Sequence, residues 1–215
     1  MSRDYHNWTD LPRRLPLFPL SGVVLLPRGG LPLNVFEPRY LEMVDHALRG
    51  DRLIGMIQPT QDEQTTVRPK LSAVGCVGKI VSFQETPDNR YLITLNGICR
   101  FRVQDEVESD TAWRTATCDF APFASDLAQQ EQEEIPRERL LGALKAYLAN
   151  RDMKADWNSV RSAPGEALVN ALAMMCPFTP VEKQALLEAQ SFHDRALTLM
   201  ALLEMGGDTG PATVN

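Results

Sequence analysis

Glu37-Pro38-Arg39-Tyr40 gathers a carboxylate, a guanidinium and a phenol within four residues. On the rim of a groove, such a set would present charge beside an aromatic ring. The same residues also read as a helix start, and that reading comes first. Proline is favoured at the first helical position, where its missing N–H costs nothing. Glu37 then lies near the positive end of the helix dipole, and Tyr40 turns into the core. Asn96-Gly97 reads as a bend between strands before it reads as a site. Arg100 and Arg102 fall with Ile98 on one face of an alternating strand, opposite Cys99, Phe101 and Val103, so a solvated face is expected there. Glu37, Arg39, Tyr40, Asn96, Arg100 and Arg102 are the candidate binding residues.

Catalytic patterns are harder to find. Gly75-Cys-Val-Gly-Lys79 has glycines and a lysine but lacks the G-x-x-x-x-G-K-[ST] spacing of a phosphate loop. It also falls in a strand, not at a strand-to-helix turn. Lys70, Lys79, Lys145, Lys154 and Lys183 have no obvious serine partner, and a nucleophilic dyad needs its base within hydrogen-bond reach. Cys76, Cys99, Cys118 and Cys176 form no C-x-x-C pair and read as free, partly buried thiols. His6, His46 and His193 are equally isolated. Structural zinc usually takes its ligands in close pairs. No catalytic residue, metal or cofactor is therefore expected.

The elements that must carry these residues change character along the chain. Residues 15–20, 22–26 and 31–36 read as short strands, with Pro16, Pro19 and Pro27 at starts, edges or bulges. A helix follows from Pro38, with Tyr40, Leu41, Val44, Ala47 and Leu48 at helical spacing, and Gly50 stops it. Residues 53–57 return as a strand, and the polar residues 58–72 read as a loop. Val74 to Gln84 and Arg90 to Leu95 flank a turn, Glu85-Thr-Pro-Asp-Asn89, and together read as a hairpin. Residues 98–103 and 113–120 are the last candidate strands. From Ala121 the composition shifts, and residues 125–139 read as a polar, acidic, solvated linker. Helical stripes follow: Leu140, Leu141, Leu144, Tyr147 and Leu148, then Leu168, Ala171, Leu172 and Met175. Thr179-Pro-Val-Glu182 is a capping box, and Ser191-Phe-His-Asp194 starts a last helix. Most methionines of this half are expected in the core. The expected organisation is a β-rich subdomain at 13–122, a helical subdomain at 136–205, and flexible tails at 1–12 and 206–215.

A chain of 215 residues can bury about 70% of its unfolded surface, enough for one large or two modest domains. The formal charge of −6, without a basic block, argues against wrapping nucleic acid. The polar first ten residues and the lack of any long apolar run predict a cytoplasmic chain that does not enter the membrane.

Two segments carry a family resemblance. Leu15-Pro-Leu-Phe-Pro-Leu-Ser-Gly-Val-Val-Leu-Leu-Pro27 with Leu31-Pro-Leu-Asn-Val-Phe-Glu-Pro-Arg-Tyr40 resembles the opening of the N-terminal domain of Lon proteases. That domain also occurs in stand-alone form in small bacterial proteins and within cereblon. Val74-Gly-Cys-Val-Gly-Lys-Ile80 followed by Tyr91 to Val103, with its G-x-x-R-F, is similar to the family's second signature. The capped helix at Thr179 is similar to those that close the domain. The resemblance spans roughly residues 13–205. It implies an α+β fold: an N-terminal β-rich pseudo-barrel, PUA-like, with one inserted helix, followed by a C-terminal helical bundle. It also implies a non-catalytic module that recognises polypeptide. The expected partner is an unfolded or extended chain, or a protease machine to which clients are brought. The phosphate loop and Ser–Lys pair of full-length Lon proteases are not visible. A hydrolase with an unrecognised site and an RNA-binding PUA-like protein stand as alternatives.

Overall fold

The computed structural model describes residues 5–60, 68–128 and 135–208. The chain divides into two compact units, residues 1–129 and 130–215.

The first unit is built on six strands: β1 (Arg14–Pro19), β2 (Gly30–Val35), β3 (Leu53–Ile57), β4 (Val74–Glu85), β5 (Tyr91–Val107) and β6 (Arg114–Asp119). One helix, α1 (Pro38–Arg49), is inserted between β2 and β3. The order β2-β5-β4-β3-β1-β6 closes on itself because β6 also pairs with β5. Closure removes the edges of the five-strand ring β5-β4-β3-β1-β6, leaving β2 paired on one side only, and it depends on the length of β5. Its first residues pair with β2, as in Leu95 with Leu31, and its last with β6, as in Val103 with Cys118. β1 runs parallel to β3 and antiparallel to β6. Leu15, Leu17, Val35, Met43, Ile54 and Phe101 fill the interior, all nearly inaccessible to solvent.

Two strand expectations change. Residues 22–26 are not a strand, although Val24, Leu25 and Leu26 are buried. Their backbone instead presses onto β5: Arg28 N–H donates to the Gly97 carbonyl at 2.8 Å, and Gly97 N–H donates to that of Gly29 at 2.8 Å. Asn96-Gly97 is accordingly no bend; it lies inside β5. A Cβ at Gly97 would stand 2.0 Å from the Leu26 carbonyl oxygen, so only glycine admits the crossing chain. Residues 8–11, expected in a flexible tail, form a 3-10 turn capped by Asn7, and Leu11 is buried.

The second unit holds α2 (Arg137–Ala149), α3 (Trp157–Ser162), α4 (Gly165–Met175), α5 (Pro180–Glu188) and α6 (Phe192–Asp208). The Thr179 capping box forms in both directions with Glu182, and Ser191 and Asp194 exchange the same pair of bonds at the start of α6. α6 continues past residue 205 to Asp208. The stripe on α4 is rotated from its expected face. Leu168, Val169, Asn170 and Ala173 are buried, while Ala171 is exposed and Met175 is 79% exposed. The cause is polar: Arg195, buried in α6, donates to Asn170 Oδ1 at 3.1 Å and draws that side chain inward. Of the methionines expected in the core, Met200 is buried but Met153 and Met205 are exposed. Residues 61–67 of the expected loop, 129–134 of the expected linker, and 1–4 and 209–215 of the expected tails lie outside the described residues.

Candidate functional site

A broad hollow of the β-rich unit opens where four pieces of chain converge. These are the end of β1 at Pro19, the first turn of α1, residues 68–69, and the loop 107–114 between β5 and β6. Its volume is about 720 Å³.

On one wall, Glu37, Arg39 and Tyr40 form a stack. The Glu37 carboxylate is not used as a helix cap; it accepts from Arg39 Nε at 2.8 Å and pairs with Nη2 at 2.7 Å. The Arg39 guanidinium lies 4.4 Å from the centroid of the Tyr40 ring. Tyr40 is 5% exposed and packs on Phe18, ring centroids 4.3 Å apart. On the opposite wall, Trp113 leans on His46 from the last turn of α1, centroids 5.3 Å apart.

The floor is tied together by Arg114. Its Nε donates to Glu106 Oε2 at 2.9 Å, its Nη2 contacts the other carboxylate oxygen, and its Nη1 donates to the Pro69 carbonyl at 2.7 Å. Arg68 adds a contact to Glu106 at 3.1 Å. The hydrogen bond from Arg114, with the charges of Arg114 and Arg68, holds the Glu106 carboxyl below the usual carboxylate range. The wall between β5 and β6 is polar: Ser109 and Thr111 share a hydroxyl hydrogen bond at 2.8 Å, and Glu108 and Asp110 stand beside them.

Among the described residues, the lining contains no lysine, histidine or cysteine; Ser109 stands there between the carboxylates of Glu108 and Asp110. The cysteines are buried, and burial pushes Cys118 up to about 12, Cys176 up to about 11 and Cys99 higher still. None of these three offers a thiolate at neutral pH. Among the described residues, no three His, Cys, Asp or Glu side chains stand together as a metal site. None of the helices among them is long and apolar enough to cross a membrane.

Of the six candidate residues, Arg39 and Tyr40 line the cleft and Glu37 braces it. Asn96, Arg100 and Arg102 do not line it. Arg100 corrects the solvated-face expectation most sharply. It is 2% exposed and grips Asp126 through Nε at 2.9 Å and Nη2 at 2.8 Å, while its backbone N–H donates to the same carboxylate. The turn Ala121–Leu127 folds back over β5 to bring Asp126 there, so the expected solvated linker begins with a buried ion pair. Asn96 and Arg102 remain exposed on β5. Arg68, Trp113 and Arg114 were not legible as site residues. Their meeting depends on strand register, in which Leu17 faces Arg114, and no local motif announces it.

The family model of the ATP-dependent protease La (LON) substrate-binding domain matches residues 14–205. A Lon protease of Cytophaga hutchinsonii is 25% identical over 202 residues, which is 91% of this chain and 24% of that protein. Lon protease 2 of Sorangium cellulosum is 29% identical over 209 residues, covering 88% and 24% respectively. The chain thus spans about a quarter of the length of these relatives. A crystal structure of a Lon N-terminal domain protein from Xanthomonas campestris superposes with a TM-score of 0.60 at 26% identity, over 87% of this chain and 97% of that one. The N-terminal domain of a Mycobacterium avium complex Lon protease gives 0.61 at 14% identity, over 88% and 97%, a likeness of fold alone.

Proposed function

Since this chain belongs to the family of ATP-dependent protease La (LON) substrate-binding domains, we propose that it is a non-catalytic module whose Arg39–Tyr40–Trp113 cleft takes an extended apolar stretch of polypeptide. The supporting observation is the cleft itself: two aromatic side chains line a hollow whose arginines are already paired with carboxylates. Aromatic anchors in a pocket carry binding energy. With Arg39 and Arg114 committed to Glu37 and Glu106, the charge left on the lining is that of Glu108 and Asp110. Binding is therefore broad and weak, because area without preorganised polar contacts does not confer affinity.

The ligand is an unfolded client, or a client shared with a protease machine that this module serves. Nucleic acid is not the ligand of this cleft, since its cations are neutralised. We place the chain in the cytoplasm, where four unpaired cysteines suit a reducing compartment.

Anisotropy titration with a labelled, unfolded casein-like polypeptide tests the reading. Trp113→Ala should weaken binding by about tenfold or more, the scale of a hot-spot residue. Arg39→Glu, at the rim, should weaken it less. No cleavage and no ATP turnover should accompany binding. Unchanged affinity in Trp113→Ala, or turnover abolished by a single Ser or Lys substitution, would refute it.

A further inference from the structure

Two shallow hollows in the helical unit share Trp157 as a wall. One, of about 320 Å³, is lined by Leu141, Gly142, Lys145, Trp157 and Arg161. The other, of about 310 Å³, shares Lys145 and Trp157 and adds Leu148, Met153 and Lys154 among its lining residues. Their walls are largely apolar, and Met153 is 41% exposed. Their rim is cationic. Lys145, Lys154 and Arg161 line them, and no carboxylate does.

These three cations are not among those paired with a carboxylate. Arg39, Arg68, Arg90, Arg100, Arg114 and Arg139 each have a carboxylate partner. Among the described residues, Lys145, Lys154 and Arg161 have none. Among the described residues of this chain of net charge −6, three positive charges thus stand uncompensated around one apolar feature. That feature is held firmly. Asp156 caps α3, accepting from the Asn158 and Ser159 N–H groups. At the other end, Arg137 Nη2 donates to the carbonyls of Val160, Arg161 and Ala163 at 3.0, 2.8 and 2.8 Å. Trp157 thus stands on a short helix clamped at both ends.

We propose that this face docks an acidic amphipathic helix of a partner protein. Apolar side chains one or two turns apart on that helix would enter the hollows on either side of Trp157. Carboxylates flanking them would meet Lys145, Lys154 and Arg161, so that charge sets register and apolar contact sets residence. A nucleic acid strand fits less well. It needs a row of cations along its phosphates, carries its charge past the rest of an acidic chain, and leaves the hollows unfilled. This surface is separate from the cleft of the β-rich unit, and the two proposals can fail independently.

The test is a titration of the whole chain with a labelled peptide helix bearing leucines at i, i+4 and i+7 and glutamates beside them. Saturable binding is expected. Lys145→Glu, Lys154→Glu and Arg161→Glu combined should weaken it by about tenfold or more, with the circular dichroism spectrum unchanged. Should that triple variant misfold, Lys154→Glu alone, in an exposed loop, should still weaken binding measurably. A peptide of equal charge with serines for leucines should not bind. Trp113→Ala should leave the affinity as it was. Loss of binding in Trp113→Ala would assign the peptide to the other unit and overturn the proposal. So would equal binding of the serine peptide, or tighter binding of a single-stranded oligonucleotide or of phosphatidylserine vesicles that displaces the peptide.

Discussion

Arg100 and Asp126 meet with side chains only 3% and 4% exposed, and the Phe123 ring lies 4.7 Å from the guanidinium. A charge removed so far from water depends on its partner. Arg100→Ala should therefore cost about 3–5 kcal/mol, because it strands the Asp126 carboxylate in the interior. Urea denaturation would show this as a lower midpoint. Glu106 is a milder case on the floor of the cleft. Its carboxyl is held below the ordinary range by Arg114 and Arg68. A lowered value in the folded state means the ion pair stabilises fully above the ordinary carboxylate pKa and is lost as pH falls through the lowered one. In a variant keeping Trp113 as its sole tryptophan, emission should shift over that acidic window, and Glu106→Gln should remove the shift. The partly exposed pair should contribute no more than about 1 kcal/mol.

At the level of elements, glycine decides where the chain can cross itself. Gly97→Ala puts a methyl group into the Leu26 carbonyl and should destabilise the β-rich unit by about 1–3 kcal/mol. Gly142→Ala, with open space around it in α2, should instead stabilise by about 0.5–1 kcal/mol. Chemical denaturation of both variants checks the contrast. The same distinction explains what the sequence could reveal. β1, α1, the β4–β5 hairpin and the Thr179 helix were legible, because alternation, proline placement and a capping box are local signals. The fate of residues 22–26, the rotation of α4 and the existence of α3 were not. Each is set by a distant group: Gly97 for the first, Arg195 for the second, Arg137 for the third. The cleft divides in the same way. Glu37, Arg39 and Tyr40 lie together in sequence and could be named, whereas Trp113 and Arg114 reach them only through pairing of β1 with β6.

For the molecule as a whole, the two units carry two distinct surfaces on one chain: an aromatic cleft whose arginines are paired, and a tryptophan flanked by cations that have no carboxylate partner among the described residues. A recognition module built so could hold a client with one and a partner with the other. The sequence between Leu127 and Arg137 is rich in Gln and Glu and carries Ile135-Pro136 as its single apolar cluster. Segments of that composition bury little and are preferred sites of cleavage. Limited proteolysis should therefore cut there, or within residues 58–72, before it cuts inside β1 to β3 or α4 to α6. First cuts within those strands or helices, read by mass spectrometry, would disprove the boundary.

The closed ring of strands also sets an order in time. β1 is synthesised well before β6, which is one of its two neighbours, with Leu15 opposite Ala116. At ribosomal rates of about 5–20 residues per second, that neighbour emerges some 5–20 s later. Throughout that delay the Leu15 and Leu17 side chains are without their barrel, and one backbone edge of β1 is without its strand. On the function proposed above, the chain is for those seconds itself the kind of unfolded chain it receives.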